Sequence, residues 1–224
     1  MLSFINATKE FRLDNENTIT PVKDVSLDIG EGELIVITGR SGTGKTTLLN
    51  LAAGMVKPTS GRVTLEGKDL SSMNDRQLSA MRSNTLGFVF QFPSLLPPLS
   101  VIENVSLPSV FAGKNGNNHA TERAAQLLDM LGLAGRLNVY PKQLSAGEQK
   151  RVIIARSLIN QPRLVLADEP TSDLDTRTEK EVMNILRNVN QTGVTFLIVT
   201  HSLELVSFAT RAFDMNKGEL TRIK

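Results

Sequence analysis

The chain has 224 residues, of which 40% are hydrophobic and 21% are charged, values typical of a soluble globular protein with a substantial core. Its 25 basic residues barely exceed its 23 acidic residues, so the charge balance gives no indication of a nucleic-acid-binding surface. The lack of cysteine excludes disulfides, thiolate metal sites and a cysteine nucleophile.

No stretch of the sequence indicates a membrane span or a secretion signal. The longest apolar runs, LIVIT and FLIVT, are far shorter than the ~20 residues of a membrane helix. The N-terminus, MLSFINATKEF, lacks the basic start and the apolar core of a signal peptide. We therefore expect a soluble, cytosolic protein.

The first elements in chain order are strands. The segments LSFINATKEF and VKDVSLDIG alternate roughly between apolar and polar residues, which predicts two strands. The β-branched run ELIVIT predicts a strand buried on both faces. A helix over GKTTLLNLAA follows, and Gly54 can end it. RVTLEG predicts another strand, and NDRQLSAMR a helix with Asn74 as its N-cap.

The second part of the chain alternates between helices and strands. TLGFVFQ predicts a strand, whereas the proline-rich stretch 92–111 cannot be one regular element. KNGNNH reads as a loop, and the next predicted helix, TERAAQLLDMLGL, places Ala124, Leu127, Leu128 and Leu131 on one face. A helix over SAGEQKRVIIARSLI should stop at Pro162. Two buried strands, RLVLAD and VTFLIVT, flank the helix TRTEKEVMNILRNVN, so a largely parallel α/β sheet is expected.

The glycine-rich stretch GRSGTGKT lies between a buried strand and a helix. Gly39, Gly44, Lys45 and Thr46 satisfy the spacing GxxxxGK[ST] of a phosphate-binding loop. Glycines let the backbone amides curve around a phosphate, and the helix N-terminus adds a positive dipole end. Lys45 would supply a charge to the phosphates and Thr46 a hydroxyl to Mg²⁺. The alternative is a tight turn with a chance lysine, and the strand–loop–helix context favours phosphate binding.

Acidic and polar residues follow the buried strands. Asp168 and Glu169 end RLVLADE, where one acid can hold Mg²⁺ and its neighbour can deprotonate an attacking water. The alternative is a solvated pair before a turn. Gln91 and His201 also follow strands, at the sheet edge where ligands bind. His119 has no such context and is interpreted as a surface residue.

Taken in order, GRSGTGKT, Gln91, LSAGEQKR, LVLADEP, SDLD and His201 resemble the ATP-binding-cassette ATPases over essentially the whole chain. The segment LSAGE is the most specific, because other phosphate-loop proteins lack it. The resemblance implies an α/β fold of the P-loop NTPase class, with a RecA-like, mostly parallel sheet. It also implies an N-terminal antiparallel β subdomain and an inserted helical subdomain. The whole chain, 1–224, would be one ATPase domain, with its core in 1–91 and 162–224 and its helical subdomain in 92–161.

The resemblance also assigns roles to residues. Phe11 would stack on adenine. ATP phosphates would be held by Gly39, Arg40, Ser41, Gly42, Thr43, Gly44, Lys45, Thr46 and Thr47. Mg²⁺ would be held by Thr46, Gln91 and Asp168. The catalytic residues would be Lys45, Gln91, Glu169 as general base, and His201 at the γ-phosphate.

A second set of residues would act across a homodimer interface. Ser145, Ala146, Gly147 and Glu148 begin a helix that would face the γ-phosphate bound to the other subunit, and Asp175 would join the two sites. Four positions depart from the usual family pattern: Ala146, Glu148, Asp173 and Ser202. Because the residues with direct chemical roles are all present, we expect activity.

The finer resemblance is to the ATPases of lipoprotein-release and macrolide-export transporters, the LolD and MacB type. It implies an integral membrane permease docking near residues 91–111, a possible periplasmic adaptor, no nucleic-acid partner, and a cytoplasmic location at the inner face of the membrane. The alternative is a cell-division-type ATPase that regulates a membrane partner without moving cargo. The ending FDMNKGELTRIK favours a free subunit over part of a fused transporter.

Overall fold

A computed structural model describes residues 1–14, 17–91, 94–112 and 117–224. The strands in these ranges are β1 Leu2–Arg12, β2 Thr18–Ile29, β3 Leu34–Thr38, β4 Ser60–Leu65, β5 Lys68–Asp69, β6 Leu86–Val89, β7 Leu164–Asp168, β8 Thr195–Thr200, β9 Arg211–Asn216 and β10 Glu219–Arg222. The helices are α1 Lys45–Ala52, α2 Asp75–Thr85, α3 Val101–Phe111, α4 Asn117–Met130, α5 Ala146–Leu158 and α6 Thr176–Gln191. None of the helices in these ranges has both the length and the apolar character needed to cross a membrane.

Six strands form the central sheet in the order β10-β9-β3-β8-β7-β6. All the neighbours from β9 to β6 pair in parallel, and β10 pairs antiparallel with β9 at one edge. The three apolar runs predicted as buried strands are β3, β7 and β8, which lie side by side. The predicted α/β class with a mostly parallel sheet is confirmed.

The second sheet is antiparallel, in the order β2-β1-β4-β5. It contains the two alternating segments at the N-terminus and RVTLEG, as the resemblance implied. The two sheets enclose one of the two hydrophobic cores together with α1. The N-terminal β subdomain is therefore present.

The alternation of side chains along β3 explains how the two hydrophobic cores are arranged. Its Ile35 and Ile37 belong to the core shared with α1 and the antiparallel sheet. Its Leu34 and Val36 belong to the core on the other face, with residues from α3 to α6. Because successive side chains of a strand point to opposite faces, one short apolar run supports both cores.

Between β6 and β7 the described residues form the helices α3, α4 and α5, with two 3₁₀ turns at 134–136 and 141–143. Ala124, Leu127, Leu128 and Leu131 are buried in the core on this side, as their spacing predicted. One prediction here was wrong, because α4 begins at Asn117 and not after KNGNNH. His119 therefore lies in a helix, where its exposed ring is 3.8 Å from a carboxylate oxygen of Glu122.

Two local predictions are confirmed at helix ends. Asn74 caps α2, and its side chain accepts a hydrogen bond from the amide of Gln77. Gly54 follows the end of α1 with a φ of 61°, the left-handed conformation that glycine adopts readily. The stretch 94–111 is not one regular element, since α3 begins only at Val101; Phe92 and Pro93 lie outside the described residues.

Candidate functional site

A cleft of about 550 Å³ lies at the carboxyl ends of β3, β6, β7 and β8. Its walls are Pro21, Arg40, Ser41, Gly42, Gly44, Lys45, Thr46, Thr47, Gln91, Asp168, Glu169 and His201. Since parallel strands end at the same edge of a sheet, residues distant in sequence meet here. The structure thus brings together most of the residues predicted to hold phosphate and to catalyse its transfer.

The glycine-rich loop leads directly into α1. Gly44 has a φ of 107°, and a Cβ at this position would lie 1.7 Å from the carbonyl oxygen of Pro21, so no other residue fits. No side chain caps the start of α1, and its first turn has no acidic residue. The first backbone amides of α1 are therefore free of side-chain acceptors, as an anion-binding helix start requires.

Lys45 is almost buried at the base of this loop, with 7% of its surface exposed. Its ammonium donates to the carbonyl oxygens of Gly39, at 2.7 Å, and Arg40, at 3.0 Å. It also lies 4.0 Å from a carboxylate oxygen of Glu169. A cation is thus held within the cleft, between the loop and the acidic pair.

Thr46 and Asp168 face each other across the cleft. The Thr46 hydroxyl donates to the Asp168 carboxylate at 2.9 Å. Burial raises the pKa of Asp168, while the Thr46 hydrogen bond acts in the opposite direction. The described residues contain no cluster of three acidic or histidine side chains that could enclose a metal. One hydroxyl and one carboxylate fit Mg²⁺, which usually keeps waters and binds substrate phosphates besides one or two protein oxygens.

Glu169 follows Asp168 with a φ of 47°, a left-handed conformation that is costly for a residue other than glycine. Its side chain is buried, and one carboxylate oxygen receives three contacts. The Thr200 hydroxyl lies at 3.0 Å, the backbone amide of His201 at 3.3 Å and the His201 Nδ1 at 3.0 Å. The turn and these contacts fix the Glu169 carboxylate beside the carboxyl end of β8.

Gln91 and His201 complete the lining of the cleft. The His201 side chain is two-thirds exposed, so its ring borders the cleft opening. Gln91 lies two residues after β6, and its backbone carbonyl accepts a 2.7 Å hydrogen bond from Lys150 of α5. The loop after β6 is thereby tied to the helical part of the chain.

Several predicted residues lie outside this cleft. Phe11 is on β1 with its ring partly exposed, and the Lys9 ammonium lies 4.9 Å from the ring centroid. Ser145 caps α5, and Asp175 caps α6 by accepting from the amides of Arg177 and Thr178. These two helix starts are neighbours, since a Cβ on Gly147 would come within 2.7 Å of Thr178. One copy of the chain therefore leaves the residues at the start of α5 away from its own phosphate loop.

Sequence reasoning missed three residues that shape the site. Pro21 forms a wall of the cleft, which depends on how the two sheets meet and has no local signal. Thr200 is the last residue of β8, so its position beside His201 could have indicated a role. Lys150 is buried on the apolar face of α5, where a charged residue is unusual. The charge of Lys150 on this face could therefore have indicated a role for the residue.

Comparison with known proteins agrees with this geometry. The ABC transporter family model matches residues 22–172. The lipoprotein-releasing system ATP-binding protein LolD of Aquifex aeolicus is 44% identical over 206 residues, covering 90% of this chain and 92% of that protein. The macrolide export ATP-binding/permease protein MacB of Chlorobaculum tepidum is 42% identical over 218 residues, covering 97% of this chain. The matched region is 33% of that MacB, so the chain spans about a third of its length.

A solved structure is similar over nearly the whole chain. The ATP-binding cassette MJ0796, solved as a dimer in a post-hydrolysis state bound to ADP and Pi, superposes with a TM-score of 0.90. It is 38% identical, and the match covers 99% of this chain and 97% of that one. Family, fold and cleft agree: the chain belongs to the ABC transporter family, as its ATP-binding and ATP-hydrolysing cassette.

Proposed function

We propose that this chain binds Mg-ATP in the cleft, pairs with a second copy, and uses hydrolysis to drive a membrane permease of the lipoprotein-release or macrolide-export type. The observation that carries the proposal is the convergence of an uncapped helix start, a buried ammonium and two adjacent carboxylates in one cleft. The ATP-binding core in 1–91 and 162–224 and the helical subdomain in 92–161 are part of the proposal.

The chemistry follows from the position of each group. The phosphates lie in the loop 39–47, where the amides at the start of α1 and the Lys45 ammonium offset their negative charge. Thr46, Asp168 and Gln91 would hold Mg²⁺, which neutralises phosphate charge when it is bound. Glu169 accepts the proton of the attacking water, and His201 contacts the γ-phosphate.

A second copy supplies what one copy lacks. The start of α5 and Asp175 lie outside the cleft, although a helix start has a positive dipole end that can face phosphate. The dimeric state of MJ0796 with ADP and Pi supports an arrangement in which residues 145–148 of one copy face the nucleotide of the other. In that arrangement Asp175 lies between the two sites, and Phe11 stacks on adenine.

The permease partner is supported by a groove next to the cleft. Its volume is about 500 Å³, and it runs between the end of α2, β6 and α3. Phe88 and Phe90 stack within it with ring centroids 5.6 Å apart, and Phe111 at its rim is 79% exposed. An exposed apolar groove of this kind fits a short amphipathic helix from the cytoplasmic side of the permease.

The names of the relatives support the transport branch, since LolD belongs to a lipoprotein-releasing system and MacB to macrolide export. We place the chain at the inner face of the membrane, bound to its permease, with a periplasmic adaptor contacting the permease. Co-purification of the tagged chain from native membranes tests this part. Recovery of a permease with a large periplasmic domain supports transport. Recovery of a division-type membrane protein would instead indicate that the chain regulates its membrane partner without moving cargo.

Glu169→Gln is the experiment for the catalytic part. The amide keeps the shape of the carboxylate and cannot take a proton, so hydrolysis should fall by about 10²–10⁴-fold. ATP binding should persist, and the variant should accumulate as an ATP-bound dimer in size-exclusion chromatography. Hydrolysis at the wild-type rate would exclude Glu169 as the general base.

A further inference from the structure

Lys150 is a charged residue in the core of the helical region. It lies on the buried face of α5 with only 3% of its surface exposed, beside Ile153 and Ile154. A buried ammonium is unfavourable unless polar groups surround it. None of the catalytic or phosphate-binding roles proposed for the cleft involves this side chain.

The ammonium of Lys150 touches two loops that matter for the reaction. It donates to the backbone carbonyl of Gln91 at 2.7 Å and to the hydroxyl of Ser172 at 3.4 Å. Gln91 belongs to the loop after β6, and Ser172 to the segment 169–175 that joins β7 to α6. Three stretches far apart in sequence therefore meet at one side chain.

Two carboxylates of the segment 169–175 act on the charge of Lys150. Burial lowers the pKa of the Lys150 ammonium, and the carboxylates of Asp173 and Glu169 raise it in the opposite direction. Asp173 has a φ of 65°, so its backbone is held in a left-handed turn.

We propose that Lys150 is a positioning residue, which holds the Gln91 loop and the segment 169–175 against α5. The inference rests on the proposed function, because it concerns the same cleft. From the buried face of α5, the side chain fixes the backbone at Gln91, while Gln91 still borders the cleft. The same ammonium restrains the turn that begins at Glu169 and ends at Asp175.

The contacts of Lys150 connect the start of α5 with the two loops that carry Gln91 and Glu169. The start of α5 carries residues 145–148, and its Gly147 already contacts the start of α6 at Thr178. Lys150, one turn further along α5, adds a polar contact to the two loops. A shift of α5 is thereby transmitted to Gln91 and to the general base.

The test compares Lys150→Met, Lys150→Gln and Lys150→Arg in the full chain. Methionine fits the apolar surroundings without a donor, so kcat for ATP hydrolysis should fall by about 10- to 100-fold while ATP affinity changes little. Glutamine keeps a donor for the Gln91 carbonyl and should recover part of the rate, and arginine should recover more. Thermal unfolding measures whether each variant is folded.

Lys68→Met is the matched control, since it makes the same substitution on the exposed strand β5. Wild-type kcat in both Lys150→Met and Lys68→Met would overturn the positioning role while leaving the proposed function intact. A wild-type chain with no ATPase activity would instead remove the proposed function itself. An equal loss of ATP affinity and kcat in folded Lys150→Met would make the residue a general structural contact, against the proposal.

Discussion

Helices α1 and α5 both begin in motifs assigned to phosphate, yet they satisfy their first backbone amides in opposite ways. Helix α1 follows Gly44, which has no side chain, and its first turn has no acidic residue. Helix α5 follows Ser145, whose hydroxyl accepts from the amide of Glu148 at 3.2 Å. The Glu148 carboxylate in turn accepts from the Ser145 amide at 2.8 Å, which completes a capping box.

This difference suggests that the start of α1 binds ATP, whereas the start of α5 from the other copy completes the site. The start of α1 offers free amides inside a cleft that also holds Lys45, so it can bind an anion within one copy. The start of α5 already has a carboxylate, and the hydrogen bond from the Ser145 amide lowers the pKa of Glu148. It is a stable helix start that contributes only weak attraction for phosphate. ATP should therefore bind first to α1, and the α5 of the other copy should close the site afterwards.

The largest effect is expected from Gly44→Ala, which alters the α1 start. The new Cβ would overlap the Pro21 carbonyl oxygen, in a backbone conformation unfavourable for alanine. The loop must move, and ATP affinity should fall by more than about 100-fold. Gly42→Ala is the matched control, because its φ is also positive but a Cβ there would meet nothing within 4 Å. Calorimetric titration with ATP measures both, and equal losses would mean that the contact with Pro21 is unimportant.

A smaller and different effect is expected from Ser145→Ala at the α5 start. Loss of the cap should cost about 1 kcal/mol of stability. Binding of ATP to a single copy should stay near wild type, whereas hydrolysis at saturating ATP should fall by about tenfold because the second helix start is displaced. If ATP affinity fell as far as in Gly44→Ala, the two starts would not be functionally distinct.

Ser100→Ala gives the control for that experiment. Ser100 and Glu103 form the same capping box at the start of α3, so this variant loses an equivalent cap. Its stability should fall by a similar amount while the rate of ATP hydrolysis by the isolated chain changes little. Unfolding midpoints and steady-state rates of the two variants separate a structural loss from a catalytic one.

The α1 site was predictable from the sequence because its signals are local. A buried β-branched strand, a glycine-rich turn and a helix follow one another, and Asp168 and Glu169 end another apolar run. Strands β9 and β10 were not identified. They pair with each other in a short local hairpin, but the pairing of β9 with β3 joins residues about 175 positions apart, such as Thr38 and Asp214. The start of α4 was missed because its Asn- and His-containing first turn has weak helix propensity, which tertiary context can override.

The sequence offered a signal at Thr200 and at Lys150, but it did not indicate which residues they contact. Each contact depends on which loops the fold brings together, Thr200 with Glu169 and Lys150 with Gln91. The order of the motifs in the sequence placed the polar residues at the carboxyl ends of the parallel strands. The packing of α5 against these ends, which joins the helical region to the cleft, was visible only in the structure. Short-range patterns thus predicted the chemistry, while the connections between its parts required the structure.

The smallest effect is expected from Glu148→Gln, which makes the α5 start more like that of α1. Glutamine can keep the capping box with Ser145, but it removes the ion pair with Arg136 and a negative charge near the helix start. Less repulsion toward phosphate should raise hydrolysis by about two- to fivefold, while stability at pH 7 falls by about 0.3–1 kcal/mol. A lower rate of hydrolysis in Glu148→Gln would instead mean that the carboxylate assists the reaction.

The pH dependence of stability provides an internal check on the same variant. The pKa of Glu148 is lowered in the folded chain, first by the Ser145 amide, so its contribution is present above the unfolded pKa and is lost as pH falls through the folded one. The stability difference between wild type and Glu148→Gln should therefore shrink below about pH 4, near the ordinary glutamate pKa. Denaturant unfolding at several pH values measures it. A difference that stayed constant into acid would show that the charge of Glu148 does not stabilise the α5 start, and the contrast between the two helices would then rest on geometry alone.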